Sequence, residues 1–424
     1  MASTATAKAI CRHAVSWRKF DGRQGGFQSG AVIPAATKPN QPAAKGTRTG
    51  KTILRDSVKV LGNFRIRPTR RDNVNSFHLA SFRRSLYTLH DFCSLTADRA
   101  GKELMSDFWA GRPVFVTGGT GFLGNWVVRQ LLAQRARVTV LSRSKPIDAH
   151  DSDIPLMART VCGDVRDHAG LERILNESGA LTVFHLAGQP IVGTAERDPV
   201  STLEVNVAGT WSLLEACRRN PQVSQIVIAS SEKALARRGN VYPISKACAD
   251  LIAGMFFQTY RSPVCIGRFS NVYGGGDLHW ERIVPGTIRS VLCGQPPVIR
   301  SHGSVRDFLY VEDAAAGLLQ LAEHAHSDST LFGNDFDFSG GAPRTIREVV
   351  DAILESAGSS LRPVLLNEHS EEPDRRSGTA AQVRRMLRWE PQYTLEEGLR
   401  GTISWYTGFA RTKPFHFIPS SQAG

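Results

Sequence analysis

A glycine-rich stretch that reads VFVTGGTGFLG from Val114 to Gly124 decides the fold of this chain. An apolar, β-branched run comes first, and Gly118, Gly121 and Gly124 then follow at intervals of three residues. A strand, a glycine turn and a helix in this order bring a phosphate group against free N–H groups at the helix N-terminus. The stretch therefore predicts that the chain binds the diphosphate of a dinucleotide directly after its first strand.

The predicted cofactor site extends to the ends of the following strands. Arg143 stands where an acidic residue would bind the ribose hydroxyls of NAD, so it could instead hold the 2′-phosphate of NADP. An exposed loop arginine is the alternative interpretation, and the cofactor is predicted to be NAD or NADP. Asp164 follows another apolar run and could accept a hydrogen bond from the adenine amino group. The predicted cofactor contacts are Gly118, Gly121, Phe122, Leu123, Gly124, Arg143, Asp164, Val165, Leu186, Ala187, Tyr242 and Lys246.

Beyond this stretch, short apolar runs alternate with amphipathic segments, which is typical of an α/β fold with a Rossmann-type doubly wound parallel sheet. After Asn271 the alternation loosens, and we expect a smaller substrate-binding lobe there. The predicted strands are 114–116, 138–141, 182–187, 225–230 and 264–269, and the predicted helices include 199–217, 244–257, 345–357 and 395–406. The predicted domains are an extension at 1–104, a dinucleotide-binding domain at 105–272, and a mainly substrate-binding lobe at 273–424 with some returning sheet elements.

The positive charge of the chain is concentrated in the extension at residues 1–104. The extension contains 19 of the 52 Lys and Arg residues and 6 of the 39 Asp and Glu residues. The remainder therefore carries 33 residues of each sign. The net charge of +13 therefore does not predict nucleic-acid binding by the folded part. Three interpretations of the extension stay open: a disordered tail, a targeting or nucleic-acid-binding arm, and translated sequence upstream of a true start at Met105.

The composition also limits the cellular setting. No run approaches the roughly 20 apolar residues of a membrane span, and the N-terminus lacks the apolar core of a secretory signal. The seven cysteines are widely spaced, and no pair has the spacing of a zinc or redox site. We therefore expect a cytoplasmic protein with reduced thiols, without a metal site and without a membrane or nucleic-acid partner.

Tyr242 and Lys246 form a Tyr-x-x-x-Lys pair at the start of a predicted helix, so both side chains share one face. A lysine ammonium beside a phenol favours the phenolate, which predicts that the pKa of Tyr242 is lowered and that it exchanges a hydroxyl proton near neutral pH. Ser230 and Ser231 end the preceding strand and place a hydroxyl at the carboxyl edge of the sheet. The three residue types together predict acid–base chemistry beside a nicotinamide.

These motifs resemble those of the NAD-dependent epimerase and dehydratase family, the extended short-chain dehydrogenases, over about residues 112–407. The stretch 271–277, followed by 282–285, is most similar to CDP-glucose 4,6-dehydratases and their close relatives. The resemblance implies a homodimer built through the helices that begin near Pro199 and Tyr242. It implies a nucleotide-sugar substrate whose diphosphate faces Asn271, Arg282 and Arg306. The segments that carry the resemblance are the glycine loop, the Ser231, Tyr242 and Lys246 set, and residues 184–188, 206–210, 268–274 and 306–313.

The resemblance also implies the reaction. Tyr242, tuned by Lys246, would remove the proton of the sugar 4-hydroxyl, polarised by Ser231, while hydride passes from C4 to the nicotinamide. A 4-epimerase returns hydride to the other face of the 4-keto sugar. A 4,6-dehydratase instead expels water from C6, which needs an acid and a base near C5 and C6.

Glu232 and Lys233 occupy the position of those additional groups, with Glu232 in place of the usual Asp; a solvated loop pair is the alternative. Ser231 and Tyr242 are 11 residues apart, whereas family members usually carry a longer loop that shapes the substrate pocket. We therefore predict an NDP-glucose 4,6-dehydratase with an unusually open pocket. An NDP-sugar 4-epimerase and a non-catalytic dinucleotide-binding sensor are the alternatives.

Overall fold

The computed structural model describes residues 107–143, 157–236, 239–300, 303–366 and 380–412. The predicted extension at 1–104 and the candidate start at Met105 lie outside these residues. The strands are β1 (Pro113–Thr117), β2 (Arg137–Ser142), β3 (Arg159–Cys162), β4 (Thr182–His185), β5 (Gln225–Ser231), β6 (Val264–Phe269), β7 (Asn271–Tyr273), β8 (Val298–Ile299), β9 (Val305–Arg306), β10 (Phe308–Tyr310), β11 (Asp335–Phe338), β12 (Arg344–Thr345) and β13 (Val364–Leu365).

The helices flank these strands in the pattern that the sequence predicts. They are α1 (Phe122–Ala133), α2 (His168–Ser178), α3 (Val192–Arg197), α4 (Pro199–Leu203), α5 (Gly209–Arg219), α6 (Val241–Tyr260), α7 (Ile283–Leu292), α8 (Val311–Ser327), α9 (Ile346–Ser356), α10 (Ala380–Leu387) and α11 (Leu395–Thr412). A π turn (Glu204–Ala208) joins α4 to α5, and a 3-10 turn (Glu232–Ala236) follows β5.

Seven parallel strands form the central sheet in the order β11-β6-β5-β4-β1-β2-β3. The predicted doubly wound Rossmann-type sheet is thereby confirmed. Alternate side chains of β1 point to opposite faces, as the pleat of a strand requires. Val114 and Val116 pack with α1 and α8 on one face, whereas Phe115 packs with α2, α5 and α6 on the other. The sheet is therefore buried on both sides, which explains its continuous apolar runs.

The predicted helix over 199–217 is interrupted once. Asp198 caps α4 by accepting from Ser201 N, and Pro199 occupies the first helical position, as the sequence predicts. The π turn then separates α4 from α5, because the side chain of Asn206 turns into the protein interior and bonds to neighbouring elements. The helix predicted at 244–257 begins earlier, at Val241, so that Tyr242 lies in its first turn.

The residues after β6 build a further apolar cluster. The two-stranded sheet β7–β10 is parallel, and α7, α9 and α11 pack against it through residues such as Ile288, Ile353 and Tyr406. The helix α9 begins with a capping box in which Thr345 and Glu348 satisfy each other's backbone groups. α8 and β11 return to the central sheet, while the division at residue 272 stays a prediction. Within the described ranges, every helix is too short or too polar to span a membrane.

Candidate active site

The glycine-rich loop contains two glycines that are packed against backbone, Gly118 and Gly124, and one that borders open space, Gly121. Gly118 has a φ of +71°, and a Cβ on it would lie 2.5 Å from the backbone of Ala187. A Cβ on Gly124 would lie 2.0 Å from the carbonyl oxygen of Gly118. Gly121 is exposed. A Cβ on it would lie 3.2 Å from that same oxygen, and its chain neighbours aside, no further heavy atom of the described residues lies within 4 Å. Gly121 is also the N-cap of α1, which has no side-chain cap, so the helix N-terminus is open to a phosphate.

The other predicted cofactor contacts near this loop lie where the sequence places them. Phe122 and Leu123 form the first turn of α1 and are partly buried. Leu186 and Ala187 follow β4 and pass beside Gly118, and Leu186 N donates to Thr117 O. β4 ends at His185, two residues before the predicted end of the strand at 187. Val165 is buried in the core beside α5. The absence of a side chain at exposed Gly121, beside the uncapped N-terminus of α1, thus fits the approach of a diphosphate.

At the far end of the predicted dinucleotide site, Arg143 is exposed directly after β2. Asp164 is bound by Arg166, whose Nε and Nη2 donate to its two oxygens at 3.0 and 2.8 Å. The hydrogen bonds from Arg166 hold the pKa of Asp164 below its ordinary value, and the charge of Arg143 acts in the same direction. Arg166 also donates to Glu204 at 2.5 Å. Asp164 is therefore an ionised acceptor, and its contact with adenine stays a prediction.

The three residues of the predicted catalytic set meet at the carboxyl edge of β5. Ser231 ends that strand, and its hydroxyl acts to lower the pKa of Tyr242, which lies in the first turn of α6. Tyr242 is 8% exposed. One turn later, Lys246 Nζ donates to Ala229 O at 3.0 Å. A Cβ on Gly188, after β4, would lie 3.5 Å from that amine, so the set faces the end of β4 as well.

The predicted lowering of the Tyr242 pKa by Lys246 is wrong for this structure. Burial raises the pKa of Tyr242, and this outweighs the hydrogen bond from Ser231 and the charge of Arg282, which lower it. The amine of Lys246 is directed at the carbonyl of Ala229, and burial lowers its own pKa as well. Desolvation disfavours the charged form of both groups, so the tyrosine rests as a neutral phenol.

Glu232 and Lys233 form the start of the 3-10 turn after β5, and both are partly buried. The negative charge of Glu232 acts to raise the pKa of Tyr242, after the larger effect of burial. The backbone N–H of Lys233 donates to Ser231 Oγ at 3.2 Å. The part of the short link that the structure describes directly after Ser231, Glu232–Ala236, is thus a 3-10 turn.

Two of the three predicted diphosphate ligands are held by backbone carbonyls. Asn271 Nδ2 donates to Asp307 O at 3.2 Å. Arg306 is buried, and its Nη1 donates to Val305 O at 2.8 Å. Their role toward a diphosphate stays a prediction. Asp307 is buried beside them, and its carboxylate accepts from the backbone of Gly340 at 2.7 Å.

Arg282 is the predicted ligand whose charge reaches the catalytic tyrosine. It caps α7, and its Nη1 donates to Asp277 Oδ2 at 2.9 Å. Asp277 is 1% exposed, and its backbone carbonyl accepts a hydrogen bond from Tyr406 on α11. The C-terminal helix therefore holds the loop that carries Arg282.

Two residues of the site were not predicted individually. Asp250 lies one turn beyond Lys246, its charge raises the pKa of that amine, and it pairs with Arg268 at 2.8 Å. The recurrence of polar residues every four positions, at 242, 246 and 250, is a signal that could have found it. Asn206 donates to Ser245 Oγ on α6 at 2.9 Å. It belongs to the segment 206–210, which the sequence marks only through its resemblance to the family.

Comparisons with known proteins agree with this geometry. Residues 114–332 match the model of the NAD dependent epimerase/dehydratase family. The CDP-glucose 4,6-dehydratase of Salmonella typhimurium is 28% identical, over 72% of this chain and 93% of that protein. The dTDP-glucose 4,6-dehydratase of Neisseria gonorrhoeae is 30% identical, over 69% of this chain and 95% of that protein. The solved structure of the UDP-glucose 4-epimerase of Thermus thermophilus, a complex with NAD, is 29% identical with a TM-score of 0.60, covering 70% of this chain and 99% of that one.

Proposed function

Because the chain belongs to the NAD dependent epimerase/dehydratase family, we propose that it is an enzyme that modifies a nucleotide-linked hexose through a 4-keto intermediate. The reaction that we propose is the 4,6-dehydration of an NDP-glucose, with CDP-glucose as the first substrate to test. Two similar proteins, from Salmonella typhimurium and Neisseria gonorrhoeae, are 4,6-dehydratases of CDP-glucose and dTDP-glucose, which supports this choice.

The proposed cofactor is NAD or NADP. The open N-terminus of α1 and the uncrowded Gly121 fit a diphosphate, and the epimerase structure from Thermus thermophilus is a complex with NAD. A bound nicotinamide dinucleotide would supply the oxidation at C4 of the sugar and the later return of the same electrons. Arg143 is the residue whose charge favours the 2′-phosphate of NADP.

In the proposed first step, Tyr242 first releases its own proton to solvent and then, as the phenolate, takes the proton of the 4-hydroxyl while Ser231 donates a hydrogen bond to the reacting oxygen. Tyr242 rests as a neutral phenol because burial raises its pKa, so positive charge must assist its deprotonation. Arg282 already acts in this direction, and Lys246 lies on the same helix face one turn away. The same phenol is ready to return a proton at the end of the cycle.

The position of Glu232 carries the proposal of dehydration rather than epimerisation. Expulsion of water from C6 requires a group that protonates the leaving hydroxyl and a group that removes the C5 proton. Glu232 directly follows Ser231, is partly buried, and lies close enough to Tyr242 for its charge to raise the tyrosine pKa. We assign Glu232 and Lys233 as the acid–base pair of this second step.

A 4-epimerase is the second candidate, because the similar structure from Thermus thermophilus is a UDP-glucose 4-epimerase. The experiment that separates the two uses purified protein with NAD or NADP and a panel of CDP-, dTDP- and UDP-linked hexoses, followed by mass spectrometry. Loss of one water supports the dehydratase, whereas an isobaric product with a new retention time supports the epimerase. Dinucleotide binding without any turnover would support a sensor instead.

A matched pair of variants tests the role of Glu232. Glu232→Gln removes the proton-transfer group and should lower dehydration by about 10²- to 10⁴-fold. Glu177→Gln changes an exposed carboxylate that pairs with Arg159 at 3.6 Å and should leave the rate unchanged. Equal rates for both variants would remove Glu232 from the mechanism.

We further propose a homodimer formed through α4, α5 and α6. These helices pack side by side, and their outer surface exposes large apolar side chains. Such a stripe on a water-soluble surface is typical of a protein–protein interface, and the family resemblance makes a second copy the partner. A cytoplasmic location remains a prediction from the sequence. The exposed side chains of this stripe are Val200, Leu203, Trp211, Leu251 and Met255.

A further inference from the structure

A buried chain of polar side chains lies behind the glycine-rich loop and connects five separate elements. Its members are each 2% exposed or less, although polar groups are costly to bury unless they are hydrogen-bonded. This chain of hydrogen bonds begins next to the predicted cofactor loop and ends on the backbone carbonyl of Tyr242. The five members are Thr117 in β1, His185 in β4, Asn206 in the π turn, Thr210 in α5 and Ser245 in α6.

The hydrogen-bond donors of this chain fix the tautomer of His185. Thr210 Oγ1 donates its one hydrogen to Asn206 O at 2.7 Å, so it must accept from His185 Nε2 at 3.1 Å. Nε2 therefore carries the proton, and Nδ1 accepts from the hydroxyl of Thr117 at 2.7 Å. The oxygen of Thr117 in turn accepts from Ala187 N at 3.3 Å. Every contact from Ala187 to Asn206 then has one donor and one acceptor.

A neutral imidazole is required by this arrangement. Burial lowers the pKa of His185 to about 3, and the charge of Lys246 acts in the same direction. An imidazolium has two donors and no acceptor, so it would turn the contact with Thr117 around and leave the hydroxyl hydrogen of Thr117 without this acceptor. Because the imidazole is neutral throughout the working pH range, the direction of the chain is constant.

The second half of the chain runs through Asn206. Its Oδ1 accepts from Gln189 N at 2.7 Å, and its Nδ2 donates to Gln189 O at 3.1 Å and to Ser245 Oγ at 2.9 Å. Ser245 then donates to Tyr242 O at 2.8 Å. The carboxamide thus binds the segment after β4 and the start of α6 at the same time. A Cβ on Gly188 would lie 3.1 Å from Asn206 Oδ1, so this segment is packed tightly against the carboxamide.

The π turn shows that local helical geometry yields to this contact. A π turn holds one more residue per hydrogen-bonded ring than an α-turn, is rare, and occurs frequently at functional sites. Here it spans Glu204–Ala208 and includes Asn206, whose side chain is directed inward. The hydroxyl of Thr210 donates to the carbonyl of Asn206, so His185 supports the turn through Thr210.

We propose that His185, as its neutral Nε2–H tautomer, is a positioning residue that sets the location of Tyr242 relative to the end of β4. It acts through Thr210, Asn206 and Ser245 and does not touch the reacting atoms. Its catalytic consequence rests on the proposed function, whereas the hydrogen-bond chain itself does not. A displacement of about 1 Å at a reacting group can cost about 10²-fold in rate, which is why a buried chain of this kind matters.

Variants of the hydroxyl groups test the positioning role. Ser245→Ala and Thr210→Val each remove one link with little change in volume. We expect each to lower kcat about 10- to 100-fold while KM for the sugar nucleotide and the Kd for the dinucleotide stay within about twofold. Thr202→Val is the matched control, because Thr202 is also buried and donates to the carbonyl of Asp198 at 2.8 Å. Equal kcat for Thr210→Val and Thr202→Val would overturn the proposal, because packing alone would then explain both residues.

Nuclear magnetic resonance of protein labelled at its histidines tests the chain without turnover. The His185 signal, assigned from its absence in His185→Asn, should show a neutral Nε2–H imidazole between about pH 5 and 8. Thr210→Val should shift this signal, and Thr202→Val should not. An Nδ1–H or charged His185 would overturn the proposal even in an active enzyme. A correct tautomer in a protein that converts no sugar nucleotide would refute the proposed function and leave the hydrogen-bond chain intact.

Discussion

Alanine substitutions at Gly121 and Gly124 should separate the binding of the dinucleotide from the stability of the fold. In Gly124→Ala the new Cβ would lie 2.0 Å from Gly118 O, so that carbonyl must move by about 1 Å to reach the closest distance that real Cβ atoms show. The movement disturbs the hydrogen bond from Gly121 N to Gly118 O, now 2.9 Å long. Overpacking of this size costs about 1–3 kcal/mol.

In Gly121→Ala the new Cβ would meet Gly118 O at 3.2 Å, and the backbone of Gly121 is extended, so the substitution should cost about 1 kcal/mol or less. The same Cβ would stand in the approach of a phosphate to the N-terminus of α1. The loss of one charge-assisted hydrogen bond there should weaken dinucleotide binding by about 10- to 100-fold.

The assay is a denaturant titration of both variants together with calorimetric titration by NAD and by NADP. We expect Gly124→Ala to lose stability, and Gly121→Ala to keep it while losing affinity. A Gly121→Ala protein that binds both dinucleotides as tightly as the unchanged chain would show that the diphosphate does not lie at this loop. The assignment of the cofactor site would then be refuted.

Three further predictions follow from the charges and exposed surfaces of the site. Arg143→Ala should weaken the binding of NADP by about tenfold or more and leave that of NAD within about twofold; equal effects in calorimetry would make Arg143 an ordinary loop residue. Asp250→Asn should shift the pH dependence of kcat/KM that reports Tyr242 to lower pH, because the carboxylate raises the pKa of the tyrosine and its removal favours the phenolate. An unchanged or opposite shift would contradict this sign. The double variant Leu251→Arg and Met255→Arg should be a monomer in light scattering at about 10 μM, because the proposed interface buries both side chains. The unchanged chain should be a dimer under the same conditions. A monomeric unchanged chain would contradict the interface.

The sequence predicted the central strands because their apolar runs are a local signal. β3 and β11 were missed, although both join the central sheet. β11 reads Asp-Phe-Asp-Phe, and its two carboxylates face Arg268 of the neighbouring strand. Arg268 and Asp335 are 67 residues apart in the sequence. A short edge strand of this kind is stabilised by pairing and ion pairs that no local pattern contains.

The site residues were predicted as a set because the Tyr-x-x-x-Lys spacing and the end of β5 are visible in the sequence. The direction of the Tyr242 pKa was not, since it depends on burial by elements far along the chain. The environment of Arg282 was equally hidden, because Asp277 is held by Tyr406, 129 residues away. Spacing therefore predicts which groups meet, and only the packing decides their charge states.

The most direct test of the central claim follows a single deuterium atom through the reaction. The protein is incubated with NAD or NADP and an NDP-glucose, first CDP-glucose, that carries deuterium at C4, and the product is analysed by mass spectrometry and nuclear magnetic resonance. We expect a 4-keto-6-deoxy sugar that has lost one water and carries the deuterium at C6, because hydride taken from C4 is delivered there. A product that retains all its oxygens and carries the deuterium at C4 with inverted configuration would contradict dehydration and establish epimerisation in its place.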